Sequence, residues 1–123
     1  MVYYVDDDAL DRLIFKKKIG LDDSRLVLFE SVEDLIARLS DENYILPRVI
    51  VTNLNFENKG MQQGWNLLDW LNHNQVTFPK VFVLTNSIVN RDILQLENYH
   101  FKPVYISKPV IDKDLHYICA FLP

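Results

Sequence analysis

The stretch Arg48 to Phe56, RVIVTNLNF, constrains this chain more than any other. Its apolar run Val49-Ile50-Val51 is entered from Pro47 and breaks abruptly into Thr52 and Asn53. An uninterrupted β-branched run of this kind suits a strand buried on both faces, as in a parallel sheet covered by helices. Asn53 then stands at the carboxyl end of that strand. In open parallel α/β sheets ligands are handled in the crevice outside those ends, at the point where the strand order reverses. The chemistry open to the chain turns on what an asparagine can do there.

The rest of the chain repeats the pattern. Val2 to Val5 is a short apolar strand that stops at Asp6-Asp7-Asp8. Ala9 to Ile19 carries Leu10, Leu13 and Ile14 at helical spacing, with Asp8 as its N-cap and Gly20 closing it. Arg25 to Phe29 is a second strand. Ser31 to Asp34 resembles a capping box with Asp34 in place of the usual Glu or Gln, and Val32, Leu35, Ile36 and Leu39 form a buried stripe behind it. A polar loop from Asn55 to Gln63 follows the third strand, then a helix from Gly64 to Leu71 with Leu67, Leu68 and Leu71 inward. Pro79 introduces the strand Val81 to Leu84, which ends at Thr85-Asn86. Ser87 to Glu97 is a helix of less regular apolar spacing, with Val89, Ile93 and Leu96. Val104 to Ile106 is a last strand ending at Ser107-Lys108-Pro109, and Ile111 to Phe121 a last helix burying Leu115, Ile118, Cys119 and Leu122.

Strands that alternate with helix-length crossovers make a doubly wound parallel α/β sheet with helices on both faces. For five strands of this length the flavodoxin-like order 2-1-3-4-5 is expected. That order opens four strand ends on one crevice: Asp6 and Asp7 after strand 1, Asn53 after strand 3, Thr85 after strand 4 and Lys108 after strand 5. At 123 residues, without repeats or low-complexity segments, one domain spanning 1–123 is expected.

Several function classes are disfavoured by composition. The net charge is −4, and the one basic cluster, Lys16-Lys17-Lys18, suits a solvated helix end, so no nucleic-acid partner is expected. The single Cys119 excludes a disulfide scaffold. No leader-like segment opens the sequence and no stretch is long and apolar enough to span a bilayer, so a cytoplasmic protein without a membrane partner is expected. His73, His100 and His116 lack metal-site spacing, and Trp65 and Trp70 suit packing. The absence of a Gly/Ser/Thr phosphate-cradling loop after strand 1 disfavours a flavodoxin-like cofactor binder.

With these residues in place, the chain resembles the receiver domains of two-component response regulators, chemotaxis-regulator-like, over essentially its whole length. That family carries an acidic pair after strand 1, a phosphoacceptor Asp after strand 3, a Ser or Thr after strand 4 and Lys-Pro after strand 5. Asp6-Asp7, Asn53, Thr85 and Lys108-Pro109 occupy those positions, Asn55 falls two residues past the acceptor, and Arg12 and Tyr105 match an Arg and a switching aromatic often found there. There are departures. The acceptor position holds Asn53, Glu57 replaces the usual Pro, and the interval from Asn53 to Gly64 is longer than usual by about three residues.

The first departure has a direct consequence. A phosphoacceptor presents a carboxylate oxygen as nucleophile, and an amide leaves no stable acyl phosphate, so Asn53 is not expected to be phosphorylated. Two carboxylates and one lysine also leave the crevice one negative charge short of the usual three against one. Magnesium takes one or two carboxylates and keeps several waters, so a weak Mg2+ site is expected from Asp6, Asp7, Asn53 and the backbone carbonyl of Asn55. Each residue also has an ordinary structural use: Asp6 to Asp8 as helix caps, Asn53 in a turn, Thr85 within a strand, Lys108 as a loop lysine or as the counter-charge for Asp6 and Asp7.

The resemblance implies a switch through Thr85, Tyr105 and Lys108, read by protein partners on the face of the fourth helix, fifth strand and fifth helix. The expectation is a non-enzymatic, atypical receiver in two-component-type signalling. It contacts a histidine kinase or a downstream signalling protein, with a protein or another ligand setting the switch population. The alternative is a phosphorelay receiver using Asp7 or another carboxylate, or one with a native Asp at position 53. With no effector segment after Pro123, the chain is expected to be a stand-alone regulator or a piece of a longer one.

Overall fold

A computed structural model describes residues 1–54, 63–74, 79–86 and 95–123, apart from the side chain of Gln63. The elements are β1 (Val2–Val5), α1 (Ala9–Ile19), β2 (Leu26–Phe29), α2 (Val32–Leu39), β3 (Val49–Asn53), α3 (Gln63–His73), β4 (Lys80–Thr85), β5 (Val104–Ser107) and α4 (Asp112–Cys119). The strands form one sheet in the order β2-β1-β3-β4-β5, and every pairing is parallel. This is the flavodoxin-like topology expected from the alternation of strands and helices. Most of the helix expected over 87–97 lies outside the described residues, of which 95–97 are helical.

Because successive strand side chains point to opposite faces, the sheet feeds two separate cores. Tyr3, Val5, Ile50, Val81 and Val83 meet Leu35 of α2 and Leu67, Leu68 and Leu71 of α3. On the other face Tyr4, Val49, Val51, Phe82, Leu84 and Ile106 meet Phe15 of α1 and Leu115 and Ile118 of α4. Leu67, Leu68 and Leu71 are fully buried, and Trp65 packs in the first core.

The caps follow local chemistry. Asp8 accepts hydrogen bonds from the N–H groups of Leu10 and Asp11 at 2.8 and 3.1 Å, and Gly20 ends α1 at φ 69°. Ser31 Oγ accepts from the Asp34 N–H at 3.1 Å.

Leu10, Leu13 and Ile14, the apolar residues at helical spacing in α1, are 63%, 49% and 41% exposed, and Phe15 is the residue that α1 buries. The inward side of the helix is set by two contacts. Phe15 stacks on Tyr4 with centroids 4.2 Å apart and planes 5° apart, and Arg12 Nη1 donates to the Asp6 carbonyl at 2.7 Å. With both made, the leucines have no sheet to face.

Gly64 fixes where α3 begins. A Cβ there would lie 2.3 Å from the Leu54 carbonyl oxygen and 2.6 Å from that of Asn53, so the helix start sits directly on the backbone leaving β3.

Candidate functional site

The parallel register brings the polar strand ends together. Val5 pairs with Thr52, and one residue beyond that pair lie Asp6 and Asn53. Asn53 pairs with Leu84, placing Thr85 one step further along β4, and Thr85 pairs with Ser107, the residue before Lys108. The Lys108 N–H donates to the Thr85 carbonyl at 2.9 Å, and the Leu54 N–H to the Leu84 carbonyl at 3.0 Å. Asp6, Asn53 and Thr85 are buried, Asp7 and Lys108 half-buried, and the Lys108–Pro109 peptide is cis. Tyr105 is 40% exposed, on the outer surface of the edge strand. Asn55 lies outside the described residues.

Asp6 is the most heavily engaged of these groups. Its Oδ1 accepts from the Asp8 N–H at 3.0 Å, its Oδ2 from the Tyr4 hydroxyl at 3.0 Å, and Lys108 Nζ approaches Oδ2 at 3.5 Å. Burial pushes the Asp6 carboxyl above the ordinary aspartate range, against the opposing pull of the Asp8 N–H, Lys108 and the Tyr4 hydroxyl. Burial also raises the Tyr4 phenol, with the charge of Asp6 adding to it, so Tyr4 remains a hydrogen-bond donor at ordinary pH.

Two members of this constellation were not found by sequence reasoning. Tyr4 reads as a core strand residue, and nothing in its spacing announces a hydroxyl aimed at Asp6. Asp11 reads as a first-turn residue of α1, yet its carboxylate lies 3.3 Å from Lys108 Nζ. The lysine after β5 thus bridges Asp6 at the end of the sheet and Asp11 on α1. Lys18, expected to be a solvated helix end, donates to the Val110 carbonyl at 3.1 Å and makes a second tie between α1 and the segment after β5. His73, His100 and His116 are all exposed, and His100 Nδ1 lies 2.6 Å from Asn72 Oδ1.

The donor set suits a hard cation modestly. Asp6, Asp7 and Asn53 offer the oxygen chemistry magnesium takes, but both Asp6 oxygens already accept hydrogen bonds from the protein. Among the described residues no group of three or more His, Cys, Asp or Glu side chains could hold a metal ion. Asp6, Asp7 and Asn53 are the described side chains at this end of the sheet whose oxygens could hold such an ion.

A five-stranded parallel sheet in the order 2-1-3-4-5 is the fold of response-regulator receiver domains. The relationship is one of structure. No protein-family model matches the chain, and no curated protein matches it in sequence. Among solved structures it is similar to a two-component response regulator from Legionella pneumophila, with a TM-score of 0.81 at 22% identity over 98% of this chain and 95% of that one. A two-component response regulator from Cytophaga hutchinsonii gives 0.77 at 20% identity over 97% and 92%. A CheY-like receiver domain protein from Methanospirillum hungatei JF-1 gives 0.74 at 17% identity over 94% and 86%. No helix among the described residues is long and apolar enough to cross a membrane.

Proposed function

We propose that this chain is an atypical receiver domain in two-component-type signalling that is not phosphorylated at Asn53 and acts through protein contacts. The observation that carries the reading is an amide side chain, buried at the end of β3, at the strand end where a receiver presents its nucleophilic carboxylate. An amide oxygen cannot carry a stable acyl phosphate. The buried Thr85 and the exposed Tyr105 are the switch residues of this proposal, with Lys108 as the third, and they support a two-state element whose usual trigger is missing. The partner is a histidine kinase or a downstream signalling protein, docking on the face that includes β5 and α4. A weak magnesium site at Asp6, Asp7, Asn53 and the Asn55 carbonyl belongs to the same proposal.

The test is the intact mass after incubation with a small-molecule phosphodonor and magnesium. The expected result is no added phosphoryl group on the natural chain and one added group on the Asn53→Asp variant. A phosphoryl group on the natural chain, at Asp7 or elsewhere, would establish the phosphorelay alternative. Magnesium titration followed by Trp65 and Trp70 fluorescence should give weak, unsaturating changes. Tight saturation would contradict the weak-site reading.

A further inference from the structure

Between α1 and the segment after β5 lies a cavity of about 370 Å3, within the range of about 300–1,000 Å3 that small-molecule sites occupy. Its floor is the Tyr4–Phe15 stack with Leu84, its walls include Ile14 and Val110, and Asp11, Lys18 and Lys108 line its polar side. The two ties described above cross this space, Lys108 to Asp11 at 3.3 Å and Lys18 to the Val110 carbonyl at 3.1 Å.

We propose that this cavity binds a small carboxylate with an apolar body, the body against Ile14 and Val110 and the carboxylate on Lys18 and Lys108 in place of Asp11. Lys18 selects the sign of the ligand: Lys108 is shared between Asp6 and Asp11, whereas among the described residues the ammonium of Lys18 meets only a backbone carbonyl. Asp11 already models the head group, an aspartate oxygen at contact distance from Lys108, and its side chain is 40% exposed and can turn to water. Lys18 has three N–H donors and spends one on Val110, and among the described residues no carboxylate pairs with it. The walls select the body, because Ile14 and Val110 present apolar surface beside the buried Tyr4–Phe15 stack and favour an apolar ligand.

Lys108 also reaches Asp6, 3.5 Å away, so a ligand that draws it from Asp11 acts on the lysine of the strand-end crevice. This coupling, which rests on the proposed receiver reading, gives a chain with Asn53 a trigger other than phosphate.

The test uses the whole chain and two probes of the same shape, 2-naphthoate and the neutral 2-naphthamide, titrated by calorimetry and by amide NMR. Naphthoate should bind about tenfold tighter than the amide, the worth of one charge-assisted hydrogen bond. Lys18→Gln should erase most of that preference, Asp11→Asn should strengthen naphthoate binding several-fold, and Ile14→Trp, at an exposed position, should block both probes. Equal affinity for the two probes, or naphthoate binding indifferent to Lys18→Gln and Asp11→Asn, overturns the site. Saturating naphthoate should also shift the Asn53 and Thr85 amides. Binding that leaves both amides still overturns the coupling while the pocket stands, and the phosphoryl mass test reports separately on the receiver reading.

Discussion

The two faces of the sheet are built from the same strands by the same alternation, yet they are covered differently. On one side α2 and α3 seat Leu35, Leu67, Leu68 and Leu71 with no exposure at all. On the other α1 contributes one buried residue, Phe15, turns three apolar side chains outward, and leaves a cavity against the segment after β5. The closed face is held by aliphatic packing. On the open face Leu115 and Ile118 of α4 pack on the sheet, while α1 is held by a ring stack and by hydrogen bonds and ion pairs that involve Arg12, Lys18 and Lys108. Directional contacts hold a helix in place without filling the space beneath it, and the cavity lies on that side.

Substitutions separate the two modes. On the closed face Leu68→Ala should cost about 2–5 kcal/mol in chemical denaturation, because a fully buried leucine leaves a cavity behind. A loss below about 1 kcal/mol would show that this face is looser than described. On the open face Tyr4→Phe keeps the ring and removes the donor to Asp6, and should cost about 1.5–3 kcal/mol at neutral pH, the range for hydrogen bonds to charged groups.

The pH dependence sharpens the contrast further. Burial raises the Asp6 pKa in the folded chain, so the folded state holds the Asp6 proton more tightly than the unfolded state does. The stability this group contributes is fully present below the ordinary carboxylate range, about pH 4, and is lost as pH rises through the folded value. Denaturation midpoints of the natural chain and of Asp6→Asn should therefore diverge as pH rises from about 4, with the natural chain falling relative to the variant by at most about 1.4 kcal/mol per pH unit. Parallel curves would mean that Asp6 does not titrate out of its ordinary range. The smallest effect is expected from Leu13→Ala, within about 0.5 kcal/mol, since that side chain is half in water already.

Much of this architecture is written in local sequence. The β-branched and apolar runs name the strands, Asp8, Gly20 and Ser31 name the helix ends, and each run breaks into a polar residue where the crevice lies. The orientation of α1 is not written there. Helical spacing says that Leu10, Leu13 and Ile14 share a side, but which side meets the sheet was decided by Phe15 finding Tyr4 and by Arg12 finding the Asp6 carbonyl. The Lys108–Asp11 pair joins residues 97 positions apart across a helix and a loop, for which no sequence period exists. The hydroxyl of Tyr4 is hidden for a similar reason, because a tyrosine in an apolar strand looks the same whether its oxygen meets water or a buried acid.

The contact at Gly64 bears on how this fold tolerates variation in length. Since α3 begins against the carbonyls of Asn53 and Leu54, the end of β3 and the start of α3 are held in contact. A segment whose ends are pinned together can be lengthened cheaply, at about 0.6 kcal/mol for each doubling, without displacing what it connects. How closely the end of β3 and the start of α3 approach therefore rests on the missing side chain at Gly64, whatever the length of chain that joins them.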